Sequence, residues 1–211
     1  MPASARRGVG STVAFTLPGA GPFRTKGNLY RGGIEMLRHL GIWDAVLVAL
    51  PDEEHRQFFA QTFLAGSWYD LFPVQTIDEV AAVLRGVSLQ AHIQDNTKFQ
   101  FGRDVNGLYR LLLRFSNPSA MVERVNRLSA QYFDFGESEV SAVQPRSATV
   151  TRRGVPTTLA PWFAEASISY VKVAMRAAGA KQVHSAFELE PGGIARLTPL
   201  STIHCSLTWT Q

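Results

Sequence analysis

Hydrophobic residues recur every three to four positions from about residue 23 to residue 129, which predicts a run of helices. Ile34, Leu37 and Leu40 form one such stripe, and the longest predicted helix covers about residues 89–115. Thr76 followed by Glu79 predicts a helix start with a capping box. Asn117 before Pro118 predicts another start, because Asn caps a helix and Pro fits its first turn.

After Gly136 the period of the pattern changes to two, which is typical of strands. We predict extended chain over residues 139–151 with an interruption at Pro145, a helix from Pro161 that Gly179 ends, and strands over residues 183–189 and 202–210. Pro191-Gly192-Gly193 predicts the turn between the last two strands. The fold class is therefore α+β: an N-terminal helical half, followed by a small antiparallel sheet with one long helix packed on it.

The domain organisation is simple. Residues 1–22 are rich in small residues and glycine, and we predict a leader there with a short strand over residues 12–17. The remaining residues, 23–211, form one predicted domain. Its length is sufficient for one substantial hydrophobic core.

Composition excludes several classes of protein. No run of about 18 apolar residues occurs, so no membrane span is predicted. One cysteine excludes an intramolecular disulfide and a zinc site made of thiolates alone. The net charge of +4 is modest and spread along the chain, so nucleic-acid binding is not expected. Together with the lack of a secretion signal, the single thiol predicts a cytoplasmic protein.

Five short motifs stand out along the chain: Thr25-Lys26-Gly27, Gly33-Ile34-Glu35-Met36-Leu37-Arg38, Gly41-Ile42-Trp43-Asp44, Tyr109-Arg110-Leu111-Leu112 and Tyr132-Phe133-Asp134-Phe135-Gly136. Through these motifs the chain resembles, over about residues 23–210, a paralogous family of myxobacterial proteins of unknown function. That family is distantly similar to a superfamily of 4-vinyl-reductase sensor domains, haem-NO-binding domains and TRAPP vesicle-tethering subunits. The resemblance implies an α+β domain with a hydrophobic pocket that holds an aromatic compound, a haem or an acyl chain in relatives, and it implies a homodimer.

Two departures from the superfamily bear on cofactors. The haem-binding members use a helical histidine and a Tyr-x-Ser-x-Arg motif, whereas this chain lacks the motif and offers only His92 as a stand-in for the histidine. The zinc-containing members use clustered cysteines, which Cys205 alone cannot supply. We therefore expect no cofactor, and the sequence argues against haem.

Aromatic side chains are the best candidates for a binding site, because pockets are mostly apolar with a few polar tips. Ordinary core packing is the alternative for each of them. Cys205 is a further candidate for pocket lining, although an inert buried thiol is the simpler interpretation. The predicted ligand-binding residues are Trp68, Tyr69, Phe99, Phe101, Tyr109, Trp162, Phe163, Tyr170, Cys205 and Trp209.

Catalytic and charged motifs are weak. Cys205 and His204 are adjacent on a strand and point to opposite faces, which argues against a catalytic pair. The histidines lack metal-ligand spacing, and the glycines do not form a phosphate loop. We interpret Arg103, Arg110 and Arg114 as a solvated helix face. Enzymatic activity is therefore not the expectation, and no catalytic or metal-ligating residue is assigned.

Two hypotheses remain for the function. The first is a sensor or carrier domain that encloses a small hydrophobic ligand and signals to a protein partner. The alternative is a TRAPP-like assembly protein with a filled core that acts through dimerisation and docking. The volume of an interior cavity discriminates between them, because only the first hypothesis requires one.

Overall fold

A computed structural model describes residues 17–105 and 117–210 of the chain. These residues form seven helices: α1 (Gly27–His39), α2 (Trp43–Ala49), α3 (Glu53–Ala60), α4 (Phe72–Arg85), α5 (Leu89–Val105), α6 (Pro118–Tyr132) and α7 (Ala160–Ala177). They also form six strands: β1 (Arg24–Lys26), β2 (Trp68–Asp70), β3 (Glu137–Gln144), β4 (Ser147–Pro156), β5 (Val183–Ala195) and β6 (Thr198–Trp209). The predicted mixture of helices with an antiparallel sheet is confirmed.

The main sheet has four antiparallel strands in the order β3-β4-β6-β5. Alternation along β6 decides which face is covered: Ile203, Cys205, Leu207 and Trp209 are all buried, as the pattern of the sequence predicted. Helix α7 packs on this face and contacts α5 and α6 on its other side. Its apolar stripe therefore lies in the centre of the protein, between the sheet and the helices.

A second sheet joins β1 to β2, with Thr25 opposite Tyr69. The sequence predicted only helices and a loop here. Next to it, the carboxylate of Asp70 is fully buried and accepts hydrogen bonds from the backbone N–H groups of Gly19 (2.9 Å), Gly21 (2.8 Å) and Phe72 (3.0 Å). A Cβ on Gly21 would lie 2.2 Å from Asp70 Oδ1, so the turn before β1 needs glycine there. Asp70 thereby fixes this turn to the helical half.

Two predicted boundaries are wrong. Helix α4 begins at Phe72 with Pro73 in its first turn, so Thr76 lies inside the helix and does not cap it. The turn between β5 and β6 lies at Arg196 and Leu197, which have φ values of 50° and 59°. Residues 191–193 form a bulge within β5 instead, where the backbone of β6 approaches closely.

The predicted start of α6 is confirmed, because the side chain of Asn117 accepts a hydrogen bond of 2.8 Å from the N–H of Ala120. Residues 12–16 of the predicted strand, and Arg110 and Arg114 of the predicted stripe, lie outside the described residues. The remaining arginine of the stripe, Arg103, forms an ion pair of 2.6 Å with Glu35 and joins α5 to α1. Within residues 17–105 and 117–210, no helix combines the length and apolar character that a membrane crossing requires.

Candidate ligand-binding cavity

A cavity of about 220 Å³ lies between α1, α5, α6, α7 and the inner face of the main sheet. An apolar cavity of roughly 150 Å³ is enough to hold benzene, so this one has room for a somewhat larger molecule. Most of the described wall is apolar: Leu29, Ile34, Leu37, Val74, Ile77, Ile93, Val122, Val125, Leu128, Val150, Ile168, Val171, Ile203 and Leu207. The sheet and the helices around it thus border a space that suits an apolar molecule.

Polar groups cluster at the side of the cavity formed by α6, β3 and β4. The guanidinium of Arg152 donates from Nη1 to Ser129 Oγ (2.5 Å) and from Nη2 to the carbonyl oxygen of Phe135 (3.0 Å). Asn126, one turn before Ser129 on α6, is hydrogen-bonded to both the hydroxyl and the backbone carbonyl of Ser138. We call Asn126, Ser129, Ser138 and Arg152 the polar end of the cavity.

Arg152 is buried, with 6% of its surface exposed. Three phenylalanine rings surround its guanidinium, with distances from Cζ to the ring centroids of 4.8 Å for Phe163, 5.6 Å for Phe133 and 5.8 Å for Phe135. Such contacts stabilise a cation because the face of an aromatic ring is electronegative. Burial nevertheless lowers the pKa of Arg152 to about 10, since a low-dielectric interior disfavours the charged form.

A second polar group connects the cavity wall with the surface. Asp78, which is buried in the wall, accepts hydrogen bonds from Trp162 Nε1 (2.8 Å) and from His92 Nε2 (3.2 Å). Nδ1 of His92 lies 3.0 Å from Nη1 of Arg85, and Nη2 of Arg85 donates to the half-exposed Asp95 (2.7 Å). Because an arginine can only donate, His92 Nδ1 accepts and its Nε2 carries the proton. We call this chain, from Trp162 to Asp95, the α4–α5 network.

The structure distributes the predicted binding residues over three environments. Trp162, Phe163, Tyr170 and Cys205 line the cavity. Phe101 and Trp209 are buried in the core beside it, whereas Tyr69 and Phe99 are half-buried and Trp68 is exposed, with Lys26 Nζ 3.7 Å above its ring. Tyr109 lies outside the described residues. A ligand-binding role for any of these residues stays a prediction.

Cys205 and His204 point to opposite sides of the sheet. Cys205 faces the cavity, and burial raises the pKa of its thiol to about 11. His204 lies on the outer face, where Nε2 is 3.1 Å from Glu190 and Nδ1 is 3.3 Å from Thr151 Oγ1. The thiol is therefore kept protonated and away from the imidazole.

Solved structures resemble this chain in fold at low sequence identity. The Fe(II) unliganded H-NOX protein from K. algicida matches with a TM-score of 0.59 and 12% identity, covering 88% of this chain and 97% of that one. The H-NOX protein from S. oneidensis in its Fe(II)NO state matches with a TM-score of 0.58 and 10% identity, covering 88% and 99%. The chain has an H-NOX-like fold. An oxygen-binding H-NOX domain related to soluble guanylate cyclases matches equally well, with a TM-score of 0.59, 10% identity, and 88% and 95% coverage.

No protein-family model and no curated protein matches the chain. The H-NOX-like fold agrees with the resemblance to haem-NO-binding domains, while membership of the myxobacterial family and the TRAPP-like detail stay predictions. TM-scores of 0.58–0.59 at 10–12% identity show the fold alone. The chemistry of the cavity has to be argued from the residues of its wall.

The expectation that this chain has no cofactor, with haem argued against, is contradicted by the solved structures that share its fold. The solved structures that share it are haem-NO-binding domains, two of them in Fe(II) states. The described wall was therefore tested for haem ligands. Haem iron is held by His, Cys, Met or Tyr side chains. No histidine is among the described wall residues. The histidine of the α4–α5 network, His92, is hydrogen-bonded to both Asp78 and Arg85.

The other described candidates suit iron poorly. The high pKa of Cys205 favours the neutral thiol, whereas a metal ligand must be the thiolate. Within the described residues, no group of three or more His, Cys, Asp or Glu side chains is arranged to hold a metal ion. Three tyrosines also line the cavity, Tyr30, Tyr132 and Tyr170, and burial raises the pKa of Tyr30, which disfavours its phenolate. The described wall thus offers a haem iron no histidine and no ready thiolate, and no step below depends on haem.

The sequence did not single out the polar end of the cavity. One signal for it exists: Ala148, Val150 and Arg152 alternate along β4, which places a charged residue in a series that otherwise faces inward. Asn126, Ser129 and Ser138 gave no such signal, because polar residues on a helix or an edge strand are typical of a solvated face.

Proposed function

We propose that the protein is a non-enzymatic sensor or carrier domain that encloses a small hydrophobic ligand and passes its occupancy to a protein partner. The observation that carries the proposal is the interior cavity of about 220 Å³ with its largely apolar wall. Binding sites for small molecules are typically concave and mostly apolar with a few polar groups, which is the character of this wall. The alternative, a TRAPP-like assembly protein, requires a filled interior and is disfavoured by the cavity.

The α4–α5 network supports the signalling part of the proposal. Asp78 forms part of the wall, and the chain of hydrogen bonds through His92 and Arg85 ends at Asp95, whose side chain is 44% exposed. A ligand that moves Trp162 or Asp78 changes the position of groups at the surface. We infer that a partner protein senses the ligand through this end of α4 and α5.

Gly33 offers a direct test. It lies on α1 in the wall of the cavity, and a Cβ there would have only Asn96 Nδ2 nearby, at 3.7 Å. A Gly33→Leu side chain would therefore occupy the cavity. Gly102 on α5 is the matched control, because it is an exposed helical glycine with open space around its Cβ position.

The measurement is native mass spectrometry, with the denatured mass as reference. We expect the wild type and Gly102→Leu to carry a non-covalent adduct of a few hundred daltons that Gly33→Leu lacks, and the absorbance spectrum shows directly whether the adduct is a haem. For protein purified without an adduct, indole is the probe, and a saturable rise in melting temperature should disappear in Gly33→Leu alone. Equal behaviour of all three proteins would refute the proposal. The same spectra test the predicted homodimer.

A further inference from the structure

Among the described residues, the charge of Arg152 has no counter-charge next to it. Buried cations are normally paired with a carboxylate, because an isolated charge in the interior costs several kcal/mol. No Asp or Glu side chain of the described residues lies within 4 Å of this guanidinium. The carboxylate in the wall, Asp78, is engaged by Trp162 and His92 instead.

The hydrogen-bonding capacity of Arg152 is also only partly used. A guanidinium has five N–H groups. In the described structure two of them are satisfied, by Ser129 Oγ and by the carbonyl of Phe135, and Nε is buried without any partner. Nε is enclosed by protein, as are two other unpartnered atoms, Thr25 Oγ1 and Trp209 Nε1, so the N–H groups of Nη1 and Nη2 that lack a protein partner are the ones a cavity ligand would use.

The surroundings define the kind of partner. Ser129, Asn126 and Ser138 are neutral, and Arg152 is the one Lys or Arg in the described wall. A single positive charge matches a single negative charge. A phosphate monoester carries a charge of about −1.5 to −2 and three strong acceptor oxygens, which would call for a second cation. A carboxylate matches both the charge and the fork of N–H donors.

We propose that the ligand is a small hydrophobic carboxylic acid whose carboxylate binds Arg152 while its apolar body fills the rest of the cavity. This inference rests on the proposed function and specifies its ligand. The phenylalanine rings hold the guanidinium in place before the ligand arrives, so little side-chain freedom is lost on binding. The apolar body then lies along Val122, Ile168 and Leu207, and a volume of about 220 Å³ limits it to an acid somewhat larger than benzene.

The test compares acids with amides of the same shape. The probes are benzoate, 3-phenylpropanoate and octanoate, each beside its primary amide, measured by calorimetry at pH 7 on the wild type, Arg152→Met and Gly33→Leu. We expect the wild type to bind at least one acid ten-fold or more tightly than its amide. Arg152→Met should bind the two equally, Arg152→Lys should keep part of the preference, and Gly33→Leu should bind neither.

The outcomes separate the two proposals. If acid and amide bind the wild type equally and Gly33→Leu abolishes both, the cavity binds ligands but the carboxylate inference is overturned. If a preference for the acid survives in Arg152→Met, the inference is also overturned, because another group binds the carboxylate. If no probe binds the wild type, the proposed function fails together with the inference. Should Arg152→Met not fold, the wild-type comparison of acid with amide alone decides.

Discussion

Filling the cavity should make the ligand-free protein more stable. In Gly33→Leu, replacing a helical glycine by leucine gains about 0.8 kcal/mol of helix propensity. Burying the leucine side chain adds roughly 1.5–3 kcal/mol, and fixing it removes about 0.5–1 kcal/mol. The sum is a free energy of unfolding that is higher by about 1.3–3.3 kcal/mol.

The control separates this effect from helix propensity. Gly102→Leu makes the same change on an exposed face and should gain only the propensity of about 0.8 kcal/mol. The difference of about 1.5 kcal/mol corresponds to a melting temperature roughly 3–6 °C higher in Gly33→Leu for a domain of this length. Differential scanning calorimetry and urea unfolding of the ligand-free proteins measure it. If Gly33→Leu were less stable than Gly102→Leu, the side chain would be overpacked and the cavity would not exist in solution.

Three further predictions concern single side chains. Asp70→Asn should lower the free energy of unfolding by about 3 kcal/mol, because its carboxylate accepts three backbone N–H bonds and the amide cannot; a loss below 1 kcal/mol in urea unfolding would contradict this. Asp78→Asn should cost about 2 kcal/mol by the same measurement, since its NH₂ group would face the N–H of Trp162 or His92, and an unchanged midpoint would argue against the network. With its pKa raised to about 11, Cys205 is about one part in a thousand thiolate at pH 8. Iodoacetamide should therefore modify the native protein at least ~100-fold more slowly than the unfolded one, and the rate for the native protein should rise with pH up to about 11. Equal rates for the two forms would disprove the burial of the thiol.

Local signals in the sequence predicted the parts of the fold that local chemistry decides. Alternation alone identified the buried face of β6, because a strand in a sheet covered on one side must place its apolar residues there. The start of α6 at Asn117–Pro118 was predictable for two local reasons. The side chain of Asn117 accepts a hydrogen bond from a free backbone N–H of the first turn, and Pro118 has no backbone N–H that would need a partner there.

Long-range pairing decided the parts that the sequence did not predict. Strands β1 and β2 have three residues each and are separated by α1, α2 and α3, so neither shows a period of two. Pro191-Gly192-Gly193 is a strong turn signal, yet the strand continues through it as a bulge. A Cβ on Gly192 would lie 3.0 Å from the backbone of Ser201. Glycine at this position therefore allows β6 to approach β5 closely. The turn itself uses Arg196 and Leu197, neither of which is typical of positive φ.

The wall of the cavity could be predicted only in part. Trp162 and Phe163 line it while Trp209 and Phe101 fill the adjoining core, although all four are large aromatic residues that are buried. The direction of each side chain depends on how α5, α7 and the sheet meet, which a single sequence does not encode locally. A buried aromatic residue is therefore compatible with both roles until the helices are placed against the sheet.

The fold and the wall of the cavity answer different questions about function. An H-NOX-like fold at 10–12% identity shows the arrangement of helices and sheet alone, and the residues that line the cavity determine what it can hold. In this chain the described wall combines a protonated thiol, a largely apolar surface, the carboxylate of Asp78 with its two hydrogen-bond donors, and one cation that has no carboxylate within 4 Å among the described residues. Of these, only the cation discriminates strongly among ligands, because leaving it unpaired is costly and a neutral ligand cannot pair it. The charge of Arg152 is therefore the feature from which the ligand can be identified.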